Sequence, residues 1–104
     1  MIKFYIAGPI SGRKMSDYIY QFWRMERMLE LEAKYKDIEI KVFNPVTRFM
    51  KYKGSYDEIM EECFKLIDEA DEVIFLNGWE KSRGANMEYG YAVAKGKEIC
   101  YETV

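Results

Sequence analysis

Histidine is absent from the 104 residues, and cysteine and proline occur only twice each. Without histidine a His-based catalytic triad is excluded, and a zinc site nearly so. Cys63 and Cys100 both lie in apolar segments and form no Cys-x-x-Cys pair, so no metal is expected and a reducing, cytoplasmic setting is the default. An excess of one charge is lacking too. Sixteen basic residues face eighteen acidic ones, and the net charge of −2 leaves no basic footprint for nucleic acid. No apolar run approaches the ~20 residues that span a bilayer, and the amino terminus carries one lysine before a short strand-like run. Neither a signal peptide nor a membrane partner is expected. There is no Walker A loop and no Gly-x-Gly-x-x-Gly fingerprint, so ATP or NAD has no motif support and no cofactor is expected.

What is present is the balance of a globular protein, with 49% hydrophobic and 33% charged residues. A chain of this length makes one domain, residues 1–104, with a single core and little surplus. Ile2 to Ala7 reads as a strand, Asp17 to Lys36 as an amphipathic helix with Ser16 as candidate N-cap, and Ile38 to Phe43 as a strand stopped by Asn44-Pro45. Thr47 to Gly54 reads as a basic, aromatic loop. A second helix from about Tyr56 carries Ile59, Met60, Cys63 and Ile67 on its inner stripe. Val73 to Leu76 is a short β-branched and aromatic run, the mark of a strand buried on both faces. A helix from about Gly84, capped by Ser82, stops at Gly96, and Glu98 to Tyr101 is the last strand. This alternation predicts an α/β fold, a flavodoxin or Rossmann-like three-layer sandwich. Its four-stranded parallel sheet has the order 2-1-3-4 and helices on both faces.

In such sheets ligands bind outside the carboxyl ends of the strands, where the strand order switches. The loops Gly8 to Arg13 and Asn77 to Gly84 are therefore expected to meet at one crevice. Gly8-Pro9-Ile10-Ser11-Gly12 can present N–H groups and a hydroxyl to an anion, or can simply be a tight strand-to-helix turn. Ser82 and Gly84 make a second such corner, or a plain helix cap. Tyr5 is a core aromatic unless its hydroxyl turns to the crevice. Trp79, in a polar loop, can stack on a flat ring or on a neighbouring subunit. Glu88 lies between the expected packing positions Met87 and Tyr91, among the small residues Gly84, Ala85, Gly90 and Ala92. A solvated surface carboxylate is the common reading of a helical glutamate. Small neighbours, which allow close approach, favour a site.

Phe4-Tyr5-Ile6-Ala7-Gly8-Pro9-Ile10-Ser11-Gly12, then Phe43-Asn44-Pro45, then the run from Ala70 to Ile99 resemble the nucleoside 2-deoxyribosyltransferase superfamily. The likeness is nearest to its small, often phage-borne branch DUF4406, with 2′-deoxynucleoside 5′-phosphate N-hydrolases as relatives. The resemblance implies that Glu88 is the nucleophile on the anomeric carbon and that Tyr5 positions it. It implies that Gly8, Pro9, Ile10, Ser11, Gly12, Asn44, Trp79 and Gly84 bind substrate, with Ser82 and Arg13 favouring a 5′-nucleotide over a free nucleoside. It further implies a homodimer or dimer-based oligomer acting on a small-molecule nucleotide or nucleoside. Where the family carries an aspartate on the second helix, this chain has Cys63. Glycosidic cleavage generally uses one carboxylate to attack and another to protonate. Two functions are thus expected in competition: an N-glycosidase or deoxyribosyltransferase using Glu88, and a nucleotide-binding or sensing module that has lost the chemistry.

Overall fold

The computed structural model describes residues 1–103. Its elements run β1 (Ile2–Ala7), α1 (Met15–Lys36), β2 (Ile40–Phe43), α2 (Pro45–Phe49), α3 (Tyr56–Glu69), β3 (Glu72–Phe75), a 3-10 turn (Trp79–Lys81), α4 (Arg83–Ala94) and β4 (Glu98–Tyr101). The four strands form one parallel sheet in the order β2-β1-β3-β4, as the alternation predicts. Tyr5 lies opposite Val73 and Ala7 opposite Phe75, so the two central strands are in register through their apolar centres.

The period of two along those strands feeds two cores. Tyr5, Ala7, Val73 and Phe75 face Cys63, Leu66 and Ile67 of α3 and Ala92 of α4. Ile6, Ile74 and Leu76 face Phe22 and Met25 of α1 and Val46 of α2. Because both sheet faces are covered, the central strands β1 and β3 read as near-continuous apolar runs and not as alternating ones.

Several local expectations change. Ser16 lies inside α1, which begins at Met15 behind an N-cap, Lys14, that makes no side-chain capping bond. Asn44-Pro45 ends β2 but also starts α2, because Asn44 accepts hydrogen bonds from the Val46 and Thr47 N–H groups and proline suits the first helical turn. The segment from Thr47 is therefore partly helical. Helix α3 is fixed by a capping box in which Ser55 and Glu58 satisfy each other's backbone N–H. Ser82 does cap α4, accepting from the Ala85 N–H at 3.2 Å. Of the expected packing positions on α4, Tyr91 is half-buried against the core but Met87 is exposed, and the buried face is Ala85, Glu88 and Ala92.

Candidate active site

The loops after β1 and β3 meet as expected. Leu76 donates its N–H to Ala7 at 2.8 Å. A Cβ on Gly8 would come within 3.0 Å of Leu76 and 3.1 Å of Phe22, and one on Gly78 within 3.3 Å of Pro9. Gly78 also needs its φ of +91°, which other residues rarely adopt. Beside this junction, at the carboxyl ends of β1 and β2, opens a cavity of about 300 Å³ walled by parts of all four helices.

Tyr5, Gly8, Ile10, Ser11, Ser82, Gly84 and Glu88 line it together. Glu88 is 6% exposed and accepts a short hydrogen bond from the Tyr5 hydroxyl, which rises from the middle of β1. Burial pushes the Glu88 carboxyl from its ordinary 4.5 up to about 7, and the Tyr5 bond holds it back only in part. Burial, and then the neighbouring charge of Glu88, push the Tyr5 hydroxyl well above 10. Cys63 stands beside the pair, and burial followed by the Glu88 charge pushes its thiol up to about 12. Near neutrality the three groups therefore hold a phenol, a thiol and a carboxyl balanced between its two forms. A helical carboxyl in that balance is available both as a nucleophile and as a proton carrier.

Five of the expected residues stand outside the lining: Pro9, Gly12, Arg13, Asn44 and Trp79. Arg13 turns back to donate to the Pro9 carbonyl at 2.9 Å and to Gln21 at 2.6 Å. Asn44 caps α2 and donates to Glu26 at 3.0 Å. Trp79 stacks on Tyr89 with ring centres 4.7 Å apart, tilted on Phe75, so its polar surroundings in sequence hide an aromatic cluster around β3 and α4. The side chains that sequence reasoning passed over are wall residues: Met15, Tyr18, Phe22, Phe49, Met50, Tyr56, Ile59 and Met60. The helical spacing of Tyr18, Phe22, Ile59 and Met60 reads as core, Phe49 and Met50 fall in a stretch that reads as loop, and nothing in a periodicity separates a packed stripe from one facing a void. Gly84 had a legible role, because a Cβ there would meet the Tyr56 hydroxyl at 3.1 Å. Arg83 lies over the Tyr56 ring at 5.8 Å, which sets a guanidinium beside one of the lining side chains.

At the opposite end of the sheet, Glu72, Glu98 and Cys100 bring their ligand-type atoms within 4.8 Å of one another, a cluster that the sequence reading did not expect. No helix among the described residues is long and apolar enough to cross a membrane.

Residues 2–101 match the family described as "Domain of unknown function (DUF4406)". The chain belongs to that family. No curated protein matches the sequence. Among solved structures, this DUF4406 chain is similar to a 2-desoxiribosyltransferase from Leishmania mexicana, with a TM-score of 0.64 and 24% identity. The match covers 97% of this chain and 63% of that one, so the DUF4406 chain spans less than two thirds of the enzyme's length. The two share the fold, including the layering that sets the cavity at the strand ends.

Proposed function

We propose that this DUF4406 protein cleaves the N-glycosidic bond of a 2′-deoxynucleoside 5′-monophosphate, or transfers its deoxyribosyl group, with Glu88 as nucleophile. The observation that carries this reading is the state of Glu88: a carboxyl buried at a cavity of nucleoside size, held by one phenol, with no lysine or arginine among the described lining residues to neutralise it. A carboxylate so placed attacks the anomeric carbon, the carbon–nitrogen bond breaks, and a glycosyl ester forms. Water or a second base then resolves the ester. Tyr5 orients the carboxylate so that one oxygen keeps the hydrogen bond while the other points at the sugar.

Ser11, Ser82 and the first turn of α4 at the mouth support the 5′-phosphate, together with Arg83. The exposed Tyr20, Trp23, Met28, Leu31 and Tyr35 of α1 support a homodimer, which light scattering at tens of micromolar tests directly. The second reading, a nucleotide-binding module without turnover, is favoured by Cys63, a weak acid in the place of a carboxyl. The deciding experiment incubates the protein with a panel of deoxynucleoside monophosphates and follows free base by chromatography. Base release that Glu88→Gln abolishes upholds the enzyme; calorimetric binding with no release from any nucleotide upholds the module.

A further inference from the structure

We propose, resting on the glycosidic reading above, that the leaving groups this site takes are cationic nitrogen heterocycles, bases that carry their positive charge before the bond breaks. When a neutral base leaves, the electron pair of the broken bond makes it an anion unless a proton arrives. A second carboxyl usually brings that proton. Among the described residues lining the cavity, Glu88 is the one carboxyl. Three carboxylates of the surrounding helices are engaged elsewhere. Glu26 accepts from Asn44 at 3.0 Å, Glu58 closes the capping box of α3, and Glu62 pairs with Lys65 at 3.0 Å.

The groups that do stand beside Glu88 are poor proton donors. The Cys63 thiol is pushed up to about 12 and the Tyr5 hydroxyl well above its ordinary 10, each first by burial. A cationic base needs neither. Glu88 attacks the anomeric carbon, the bonding pair moves onto the ring nitrogen, and the base leaves neutral. Water then hydrolyses the glycosyl ester, returning the carboxylate and releasing one proton to solvent.

The walls suit such a ligand independently of the chemistry. No lysine or arginine is among the described lining residues. Tyr18, Phe22 and Phe49 offer ring faces and edges, and Met15, Met50 and Met60 offer polarizable thioethers. Aromatic faces attract a desolvated cation, and thioethers pack well on aromatic ring edges. Arg83, over Tyr56 and outside the lining, is suited to the phosphate and not to the base. An anionic leaving group would find no lysine or arginine among the described lining residues to offset its charge.

The test compares N7-methyl-2′-deoxyguanosine 5′-monophosphate with unmethylated 2′-deoxyguanosine 5′-monophosphate, which differ at the leaving base alone. Base release is followed by chromatography with the enzyme-free rate subtracted. The expected kcat/KM ratio favours the methylated substrate by at least ~100-fold, the lower end of what a general acid is worth. Glu88→Gln should abolish release from both. Cys63→Asp, which adds the missing acid, should shrink the ratio by raising the unmethylated rate. A wild-type ratio below ~100-fold with both substrates cleaved overturns this inference and leaves the glycosidic reading standing. Release from neither substrate, in wild type or in Cys63→Asp, overturns both.

Discussion

Glu88 and Glu102 are buried to the same extent, each 6% exposed, and the protein treats them in opposite ways. Glu102 follows β4 and accepts from Gln21 at 2.9 Å, from Arg24 at 2.8 Å and from the Asn77 N–H at 2.8 Å. Burial alone would raise its carboxyl, but these donors outweigh burial and hold it below the ordinary carboxylate range. Glu88 has the Tyr5 hydroxyl and an open cavity, and its carboxyl rises to about 7. The contrast separates structural burial from poised burial. A carboxylate ringed by donors stabilises the fold and has no reactivity left to offer. One left short of donors destabilises the fold at neutral pH, an expense that function must explain.

The largest effect that sharpens this comparison is on turnover. Glu88→Gln keeps the shape of the side chain and removes the attacking charge. Base release should fall by roughly 10³-fold or more while nucleotide binding survives. Parallel losses in Glu88→Gln and Glu102→Gln would erase the distinction, and single-turnover kinetics on the two variants is the measurement.

The two groups should also give stability opposite slopes against pH. The Glu88 carboxyl is raised on folding, so between about 4.5 and 7 the folded protein holds more protons than the unfolded one. Stability from this group is full below 4.5 and is lost as pH rises through 7. The shift corresponds to roughly 3 kcal/mol. Glu102 is lowered on folding, so its stabilisation is present above 4.5 and fades as pH falls below it. Melting curves between pH 5 and 8.5 should therefore show a wild type that weakens on the alkaline side. Glu88→Gln should be flatter and more stable at pH 8. An unchanged pH profile in Glu88→Gln would mean that its carboxyl is solvated.

Glu102→Ala leaves the Asn77 N–H without its acceptor, while the Gln21 amide keeps the Asn77 carbonyl at 3.2 Å and Arg24, half exposed, can turn to water. The expected cost is about 1–3 kcal/mol, for hydrogen bonds lost to a charged acceptor. For a domain of this size that lowers the melting temperature by roughly 4–8 °C per kcal/mol. Calorimetric scans at pH 7 check it, and a drop below 2 °C would show that the loop after β3 holds without this carboxylate.

The comparison also marks how far the sequence could be read. The parallel sheet, its strand order and the meeting of the loops at Gly8 and Gly78 follow from short apolar runs and glycines, signals that are local and strong. The small neighbours of Glu88 hinted at a site, but its pairing with Tyr5 was legible only through family resemblance, because nothing local joins a helix to a strand 83 residues away. Glu102 carried no signal, since a glutamate after the last strand is set by three partners distant in sequence. The partners of Trp79 and Arg13 were hidden in the same way. Their neighbours in sequence are polar or basic, while their partners in space, Tyr89 for one and Gln21 for the other, are chosen by the tertiary fold.

The smallest predicted effect joins the two regions. Gln21 donates to Glu102 through its amide nitrogen and accepts from Arg13 through its amide oxygen, and Arg13 in turn donates to the Pro9 carbonyl. The network around Glu102 thus reaches the loop that carries Ile10 and Ser11 to the cavity. Arg13→Ala removes two hydrogen bonds from a part-buried guanidinium, and water can replace much of what is lost. A net loss of about 1 kcal/mol, or roughly fivefold in affinity, is expected as the loop loosens. Because Arg13 acts on the loop, that loss should fall equally on a deoxynucleoside and its 5′-monophosphate. Gln21→Ala should reproduce it, since it cuts the same chain one link further from the cavity. Isothermal titration of both ligands against both variants makes the test. A loss confined to the monophosphate in Arg13→Ala, and absent in Gln21→Ala, would instead mean that the guanidinium leaves Pro9 to meet the phosphate.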